Sequence, residues 1–346
     1  MFKLKQFGVT AAMLLIASGA FANNFRAADQ VYLLAAGHVA SGSAIFISDV
    51  FISNLSTTDS VDVSVIYTPT GDNQTQQNFN KALTLLPNER REIVDFFPAV
   101  LHLASGFGDL VFNGCKKDAD CTPDQNGLNT NYRNISVESR IYSIPPGKTL
   151  ADKPPTVGQL FAGIPWYMYA SSANPGFDTV FMTGMRNNGA NGTDGTFRGN
   201  VGVVNASQFS ITDLVITLYN GANNQVIGST TIQGLGPLAH KQLNIGSLFS
   251  AFNGASAVNA YVTVSQPATS VRPTSDAAAN GCNNGCPSFM AYGSVLDNSL
   301  QSGDPTTLES QFTASLNELQ IACVFSTNPS ANCKGGTSLR RSAKHN

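Results

Sequence analysis

The sequence predicts an all-β protein: two tandem immunoglobulin-like β-sandwich modules with short helical turns. Three observations carry that expectation. The first is period-two hydrophobicity. Val61-Asp62-Val63-Ser64-Val65 alternates apolar and polar residues, as a strand with one buried face does, and Leu214 to Tyr219 reads as a more fully buried strand. The second is self-similarity at a spacing of about 150 residues, the signature of a duplicated structural unit. Asp29 to Leu33 parallels Asp178 to Met182, Val50 to Ser56 parallels Val201 to Ser207, and Asp62 to Tyr67 parallels Asp213 to Tyr219 with one insertion. Leu85-Leu86-Pro87 parallels Leu235-Gly236-Pro237, and Ser105 to Val111 parallels Ser256 to Val262. The order is kept throughout. The third observation is turn chemistry between the apolar runs, at Thr70-Gly71-Asp72 and Asn220-Gly221.

In chain order, residues 1–22 read as a secretory signal peptide. Lys3 and Lys5 form its basic start, Val9 to Ile16 its apolar stretch, and Ala20-Phe21-Ala22 an A-x-A cleavage site, so the mature chain is expected to start at Asn23. The apolar stretch is shorter than the ~20 residues needed to span a bilayer, and no second stretch of the mature chain is long and apolar enough to span one. Residues 23–150 form the first expected module and 151–174 a linker containing Pro154 and Pro155. Residues 175–305 form the second module and 306–346 a cysteine-containing tail. Each module is expected to hold about seven short strands, the number typical of an immunoglobulin-like sandwich. A short helix is expected in each, near Phe97 to Ala104 and Ser247 to Phe252, with a short strand after Pro87 and after Pro237. An outer-membrane barrel also alternates, but these strands are irregular in length and the chain ends on Arg340-Arg341-Ser342-Ala343-Lys344-His345-Asn346 with no apolar last strand.

Several motifs together resemble exported bacterial proteins with two tandem immunoglobulin-like modules. They are Gly37-His38-Val39, Asp49 to Asn54, Leu86-Pro87-Asn88-Glu89, Phe197-Arg198 leading to Val203-Val204-Asn205, and Ser294 to Asn298 followed by Gly303-Asp304-Pro305. They span roughly residues 29–310 and mark strands and turns. The resemblance implies export and a sandwich fold, and it supplies no catalytic residues. The chain departs from it by cysteine-bearing insertions after Gly114 and Asn280 and by its cysteine-bearing tail.

Charge and composition narrow the function. Charged residues are only 12% of the chain, with 20 basic and 22 acidic residues. That gives no basic stripe to neutralise phosphates, so no nucleic-acid partner is expected. Asparagine, glycine, serine and threonine carry the solubility instead. Six cysteines in an oxidising compartment read as disulfides, with local pairs Cys115–Cys121, Cys282–Cys286 and Cys323–Cys333 the simplest of fifteen connectivities. A zinc site fits poorly, because the spacings are not CxxC and no histidine lies near the first two pairs.

No catalytic motif occurs: there is no G-x-S-x-G elbow, H-E-x-x-H helix or P-loop. His38, His102, His240 and His345 are scattered and have no twin in the other copy; Asn187 and Arg90 stand near the positions matching His38 and His240. A non-enzymatic exported structural, adhesive or protein-recognition module without cofactor is therefore expected, with an envelope or extracellular protein or a glycan as partner, in the periplasm or outside the cell. Two candidate sites remain. Asp118, Asp120, Asp124 and Asn126 alternate hard oxygen ligands that suit calcium, against the plainer reading of a solvated acidic loop. Trp166, Tyr167 and Tyr169 offer rings that could stack on sugars and make the chain a carbohydrate-binding module; the favoured reading is that the same rings clasp the linker onto a module. A hydrolase site between the modules is the third alternative. The sequons at Asn54, Asn134 and Asn205 read as turns.

Overall fold

A computed structural model describes residues 27–310 other than 42–43, 72–73, 123–128, 145, 153–157, 167, 173–177, 190–195, 208–209, 255, 268–287 and 298–306. The signal-peptide segment, Cys282, Cys286, Cys323 and Cys333 lie outside the described residues. The fold is all-β and antiparallel, with the described strands gathered into three sheets.

The first half contains β1 (Gln30–Ser41), β2 (Ala44–Asn54), β3 (Val61–Pro69), β4 (Gln77–Leu85) and β5 (Arg90–Ile93). It continues with β6 (Gly106–Lys116), β7 (Ile135–Ile144), β8 (Gly158–Ala162) and β9 (Ile164–Pro165). Their order is β4-β3-β6-β1-β2-β7-β8, with β5 also on β2 and β9 on β1. β1 is the joint of this sheet. Its first residues pair with β6 on one side and β9 on the other, its register with β6 shifts between Leu33 and Ala36, and its last residues, His38 to Ser41, pair with β2.

The second half contains β10 (Thr179–Met185), β11 (Phe197–Asn205), β12 (Ile211–Asn220) and β13 (Val226–Leu235). β14 (His240–Asn244), β15 (Ala260–Ser265), β16 (Phe289–Asp297) and β17 (Thr307–Ser310) complete it. These form one sheet in the order β10-β15-β12-β13 and another in the order β14-β11-β16-β17. The pairing repeats that of the first half: β1-β6-β3-β4 corresponds to β10-β15-β12-β13, and β5-β2-β7-β8 to β14-β11-β16-β17. One-turn helices at Phe97–Leu101 and Ile245–Leu248 fall between matching strands in each half.

The repeated Asn-x-Ser motif shows why strand ends recur. Asn54 and Asn205 are buried, and each side-chain amide donates to carbonyls of the turn after the fourth strand: Leu86 O at 2.9 Å in one half, Gly236 O at 2.7 Å in the other. Each carboxamide oxygen also accepts from the backbone N–H two residues on, Ser56 or Ser207, at 2.9 Å. These amides are committed to the fold, which agrees with reading the two sequons as turns. Buried polar groups of this kind hold a strand end because leaving them unmade costs more than making them gains.

Two differences from the expected layout follow from pairing. The stretch 151–174, expected to be a linker, adds β8 to β7 and β9 to β1, so it belongs largely to the first sheet. The second half also extends past residue 305, because β17 pairs with β16. The two halves share buried surface. One apolar cluster combines Val31, Leu33, Phe112 and Phe161 with Val204, Ala206, Met290 and Tyr292; another lies within the second half around Val203, Leu214, Val262 and Ala291.

Candidate functional site

Strand periodicity selects the faces that meet between the halves. On β11, Val201 and Val203 enter the second-half core, so Arg198, Asn200, Gly202 and Val204 face the other way. On β16, Ala291 and Val295 enter the same core and leave Met290, Tyr292, Ser294 and Leu296 on the opposite face. This polar-apolar face lies against β1, β6 and β8. Phe107 touches the His240 ring edge-on at 5.6 Å, and Phe161 meets Tyr292 the same way at 5.6 Å. The backbone joins in: Thr70 forms a parallel bridge with His240, whose carbonyl accepts from Gly71 N–H at 2.6 Å.

The centre of this interface is polar and buried. Tyr292 donates its hydroxyl hydrogen to Gln242 Oε1 at 2.7 Å and lies 3.0 Å from His240 Nε2, so the histidine donates through Nε2–H and its Nδ1 is the acceptor nitrogen. Nδ1 has no partner, and neither do the buried Tyr32 hydroxyl and Asp109 Oδ1. Burial pushes His240 down to about 3, so the ring is neutral. Burial likewise holds Asp109 well above the usual carboxylate range, and it raises Tyr292, with the Asp109 carboxyl adding to the rise. Gly202 is required here: a Cβ at that position would sit 1.9 Å from the Tyr292 ring lying across it.

Beside this centre the faces diverge and leave a cleft of about 430 Å³, within the range of small-molecule sites. Phe46, Phe107, Ile141, Phe161 and Leu296 make its apolar wall. Gln159, Arg198, Asn200, Gln242 and Ser294 supply polar groups among the described lining residues, and Glu309 of β17 stands opposite Ser294 in the strand register. Arg198 is half-buried, and desolvation lowers its affinity for the proton, although a guanidinium stays charged at physiological pH. Gln159 is buried, and its amide nitrogen has no hydrogen-bond partner.

The residues singled out in the sequence lie elsewhere. Trp166 and Tyr169 are buried at 5% and 3% exposure, and Trp166 Nε1 donates to Asp29 Oδ1 at 3.1 Å. Their rings pack into the shared core, which corrects the sugar-stacking expectation in favour of the clasp; Tyr167 lies outside the described residues. Asp118 pairs with Lys81 at 3.2 Å and Lys117 at 3.1 Å, and Asp120 accepts from the Thr122 backbone and hydroxyl. Both carboxylates thus have protein partners; Asp124 and Asn126 lie outside the described residues, where the four-ligand calcium expectation would have to be completed. Cys115 and Cys121 stand at disulfide distance, 2.07 Å between sulfurs.

His38, on β1, has a carboxylate partner. Its Nδ1 lies 2.8 Å from Asp95 Oδ1. Asp95 N–H donates to Asp49 Oδ1, which also accepts from the Tyr142 hydroxyl at 3.1 Å. Burial raises the Asp49 pKa, against the lowering effect of these two hydrogen bonds. A histidine–carboxylate pair needs a nucleophile at the far nitrogen to act in acyl transfer, and among the described residues no hydroxyl or thiol hydrogen-bonds His38.

No family model matches the chain, and no curated protein matches it. Among solved structures, the chain is similar to the CupB6 tip adhesin of Pseudomonas aeruginosa at 10% identity, covering 82% of this chain and 97% of that one, with a TM-score of 0.12. That score is too low to indicate a common fold or to transfer a role. No helix among the described residues is long and apolar enough to cross a membrane.

Proposed function

We propose that this chain is an exported, non-enzymatic recognition protein built from two copies of one immunoglobulin-like sandwich, and that the cleft between the copies seats its ligand. The observation that carries this reading is the cleft itself: a preformed concavity with an apolar wall and a few inward polar groups, which is the usual build of a binding site. Chemistry on a bound ester, peptide or glycoside calls for a nucleophile beside a base, or two carboxylates across the scissile bond. The cleft residues offer hydrogen-bond donors instead. His240, whose ring packs on Phe107 and Tyr292, is buried, neutral and engaged with Tyr292. Export rests on the leader-like residues Lys3 to Ala22, and it places the partner in the envelope or outside the cell. The matching strand orders of the two halves support duplication of a single unit. Purified mature protein should bind an envelope protein, glycan or small molecule and turn over no generic ester, peptide or glycoside substrate. Turnover that survives repurification and is lost on replacing one histidine or acidic residue would overturn the proposal.

A further inference from the structure

We infer that the outer edge of β10 binds an extended, apolar, tryptophan-bearing peptide segment of a partner protein, at a seat separate from the cleft. The occupied form of this seat is visible in the first half. There β9 lies antiparallel on β1, with Ile164 opposite Tyr32 and Pro165 opposite Val31. Trp166 N–H donates to the Gln30 carbonyl at 3.1 Å, and its ring Nε1–H donates to Asp29 Oδ1 at 3.1 Å. In an antiparallel ladder, alternate residues turn their N–H and C=O to opposite neighbours. Gln30 and Tyr32 therefore face β9 and Val31 faces β6, so the missing N–H of Pro165 costs no ladder bond. Tyr32 is 1% exposed, within the apolar cluster that holds Ile164 and Trp166.

The second half carries the same frame. Asp178, Thr179, Val180 and Phe181 stand where Asp29, Gln30, Val31 and Tyr32 stand in the repeat, and β10 pairs with β15 as β1 pairs with β6. The Asp178 carbonyl accepts from Gln266 N–H at 2.9 Å, so Asp178 and Val180 turn toward β15. Thr179 and Phe181 then turn their N–H and C=O to the outer edge, and among the described residues no strand pairs with that edge. From Thr179 to Met185 the strand has no charge and no proline, the residues that blunt an edge. Phe181 is 55% exposed, against 1% for its counterpart Tyr32. Asp178 Oδ1 accepts from the Thr179 hydroxyl at 3.0 Å, and a carboxylate has the capacity to accept further bonds. A strand added here in the register of β9 places an aliphatic residue beside the Phe181 ring, a proline opposite Val180, and an indole N–H at Asp178. Main-chain pairing then supplies affinity and alternate side chains supply specificity.

Calorimetry and NMR of the mature protein test this with acetyl-Ala-Gly-Ile-Pro-Trp-Tyr-amide, the sequence of residues 162–167. The peptide should bind, and the Thr179 and Phe181 amides should pass from fast to slow hydrogen exchange when it is added. Exchanging its Ile and Pro sets the residue without an N–H opposite Phe181 and should weaken binding about tenfold, the loss of one ladder bond. 1-Methyltryptophan in place of tryptophan removes the ring N–H. It should weaken binding to the unaltered protein about fivefold and leave binding to Asp178→Ala unchanged, a coupling that a general loss of structure would not produce. Thr179→Pro removes an edge donor where a strand tolerates proline, and it should abolish binding while the melting temperature holds. Should that variant fail to fold, Phe181→Ser changes an exposed ring and should weaken binding about tenfold. No binding, or equal binding of the two peptide orders, would overturn the inference. Slow exchange at Thr179 and Phe181 before any peptide is added would also overturn it, because the edge would then be filled by a later part of the chain or by a second copy. The cleft lies elsewhere on the molecule, so either failure leaves the cleft reading standing.

Discussion

Acid should loosen the contact between the halves through a single ring, that of His240. The ring is fully buried, stacks on Tyr292 at 6.0 Å and meets Phe107 edge-on. A second proton would have to enter at Nδ1, which has no acceptor to receive it. Burial therefore depresses the folded pKa from 6.5 to about 3. The sign follows from proton counting: below 6.5 the unfolded chain binds a proton that the folded chain refuses, so stability is full above pH 6.5 and falls as pH drops toward 3. At about 1.4 kcal/mol per pH unit, the loss reaches roughly 3 kcal/mol by pH 4.5 and roughly 5 kcal/mol by pH 3. Urea denaturation of the mature protein and of His240→Gln, from pH 7.5 to pH 4.5, isolates this term, because the carboxylates common to both cancel in the difference. At pH 7.5 the variant should be about 1–3 kcal/mol less stable from lost packing. The gap should close as pH falls through 6 and reverse by pH 4.5. A gap that stays constant with pH would refute a buried, neutral His240, and with it the close docking of the two faces.

Three further outcomes follow from named residues. Asp109 has its folded pKa raised by burial, so its contribution is full below pH 4 and is lost as pH rises toward the folded value; Asp109→Asn should match the unaltered protein at pH 3.5 and exceed it by on the order of 1–3 kcal/mol at pH 7, read by thermal melts at both pH values. Gly202→Ala should cost at least ~2 kcal/mol, because the Tyr292 ring stands 1.9 Å from the new Cβ and a packed core relaxes poorly; near-UV circular dichroism should report the displaced tyrosine, and an unchanged melt would refute the close approach. Replacing Cys115 and Cys121 by serine should cost only roughly 2 kcal/mol, since the bridge closes a loop with a sequence separation of 6; non-reducing peptide mapping that links Cys115 to another cysteine would contradict the pairing.

The fold was more legible in the sequence than the site, and the reason is periodicity. Val61 to Val65, the Asn54 and Asn205 turns and the Leu86-Pro87 and Gly236-Pro237 corners report local backbone needs, and the turn and corner needs recur in each half. Trp166 was visible as an oddity, but whether a ring is exposed depends on what folds over it. Here the Asp29 carboxylate and the second half cover it. The cleft residues gave no such signal. Arg198, Gln159 and Gln242 come from three strands distant in sequence, and each is ordinary in its own segment. They become a site only because two sheet faces dock, a long-range event with no local signature. His240 follows Pro237 closely in sequence, but its burial arises against Thr70 and Phe107, more than a hundred residues away. A clue was present in the asymmetry of the copies. Arg90 occupies the position corresponding to His240, and the outward strand faces of β2 and β7 in the first half carry Asp49, Glu138 and Arg140, whereas β11 and β16 present Asn200, Tyr292 and Ser294. The β11 and β16 face is not free of charge, since it carries Arg198, but His240, Asn200, Tyr292 and Ser294 are neutral where the two halves meet.

Docking of the halves can be read from one amide. Gly71 sits in the turn after β3, and its N–H donates to the His240 carbonyl of the other half at 2.6 Å. Hydrogen exchange at Gly71, resolved by NMR of the mature protein at neutral pH, reports whether that bond exists in solution. The two docked faces that form the cleft predict slow exchange there, approaching the protection of core amides in β11 and β16. Exchange at the rate of an open loop would show the halves undocked, and the cleft would not exist as a ligand seat.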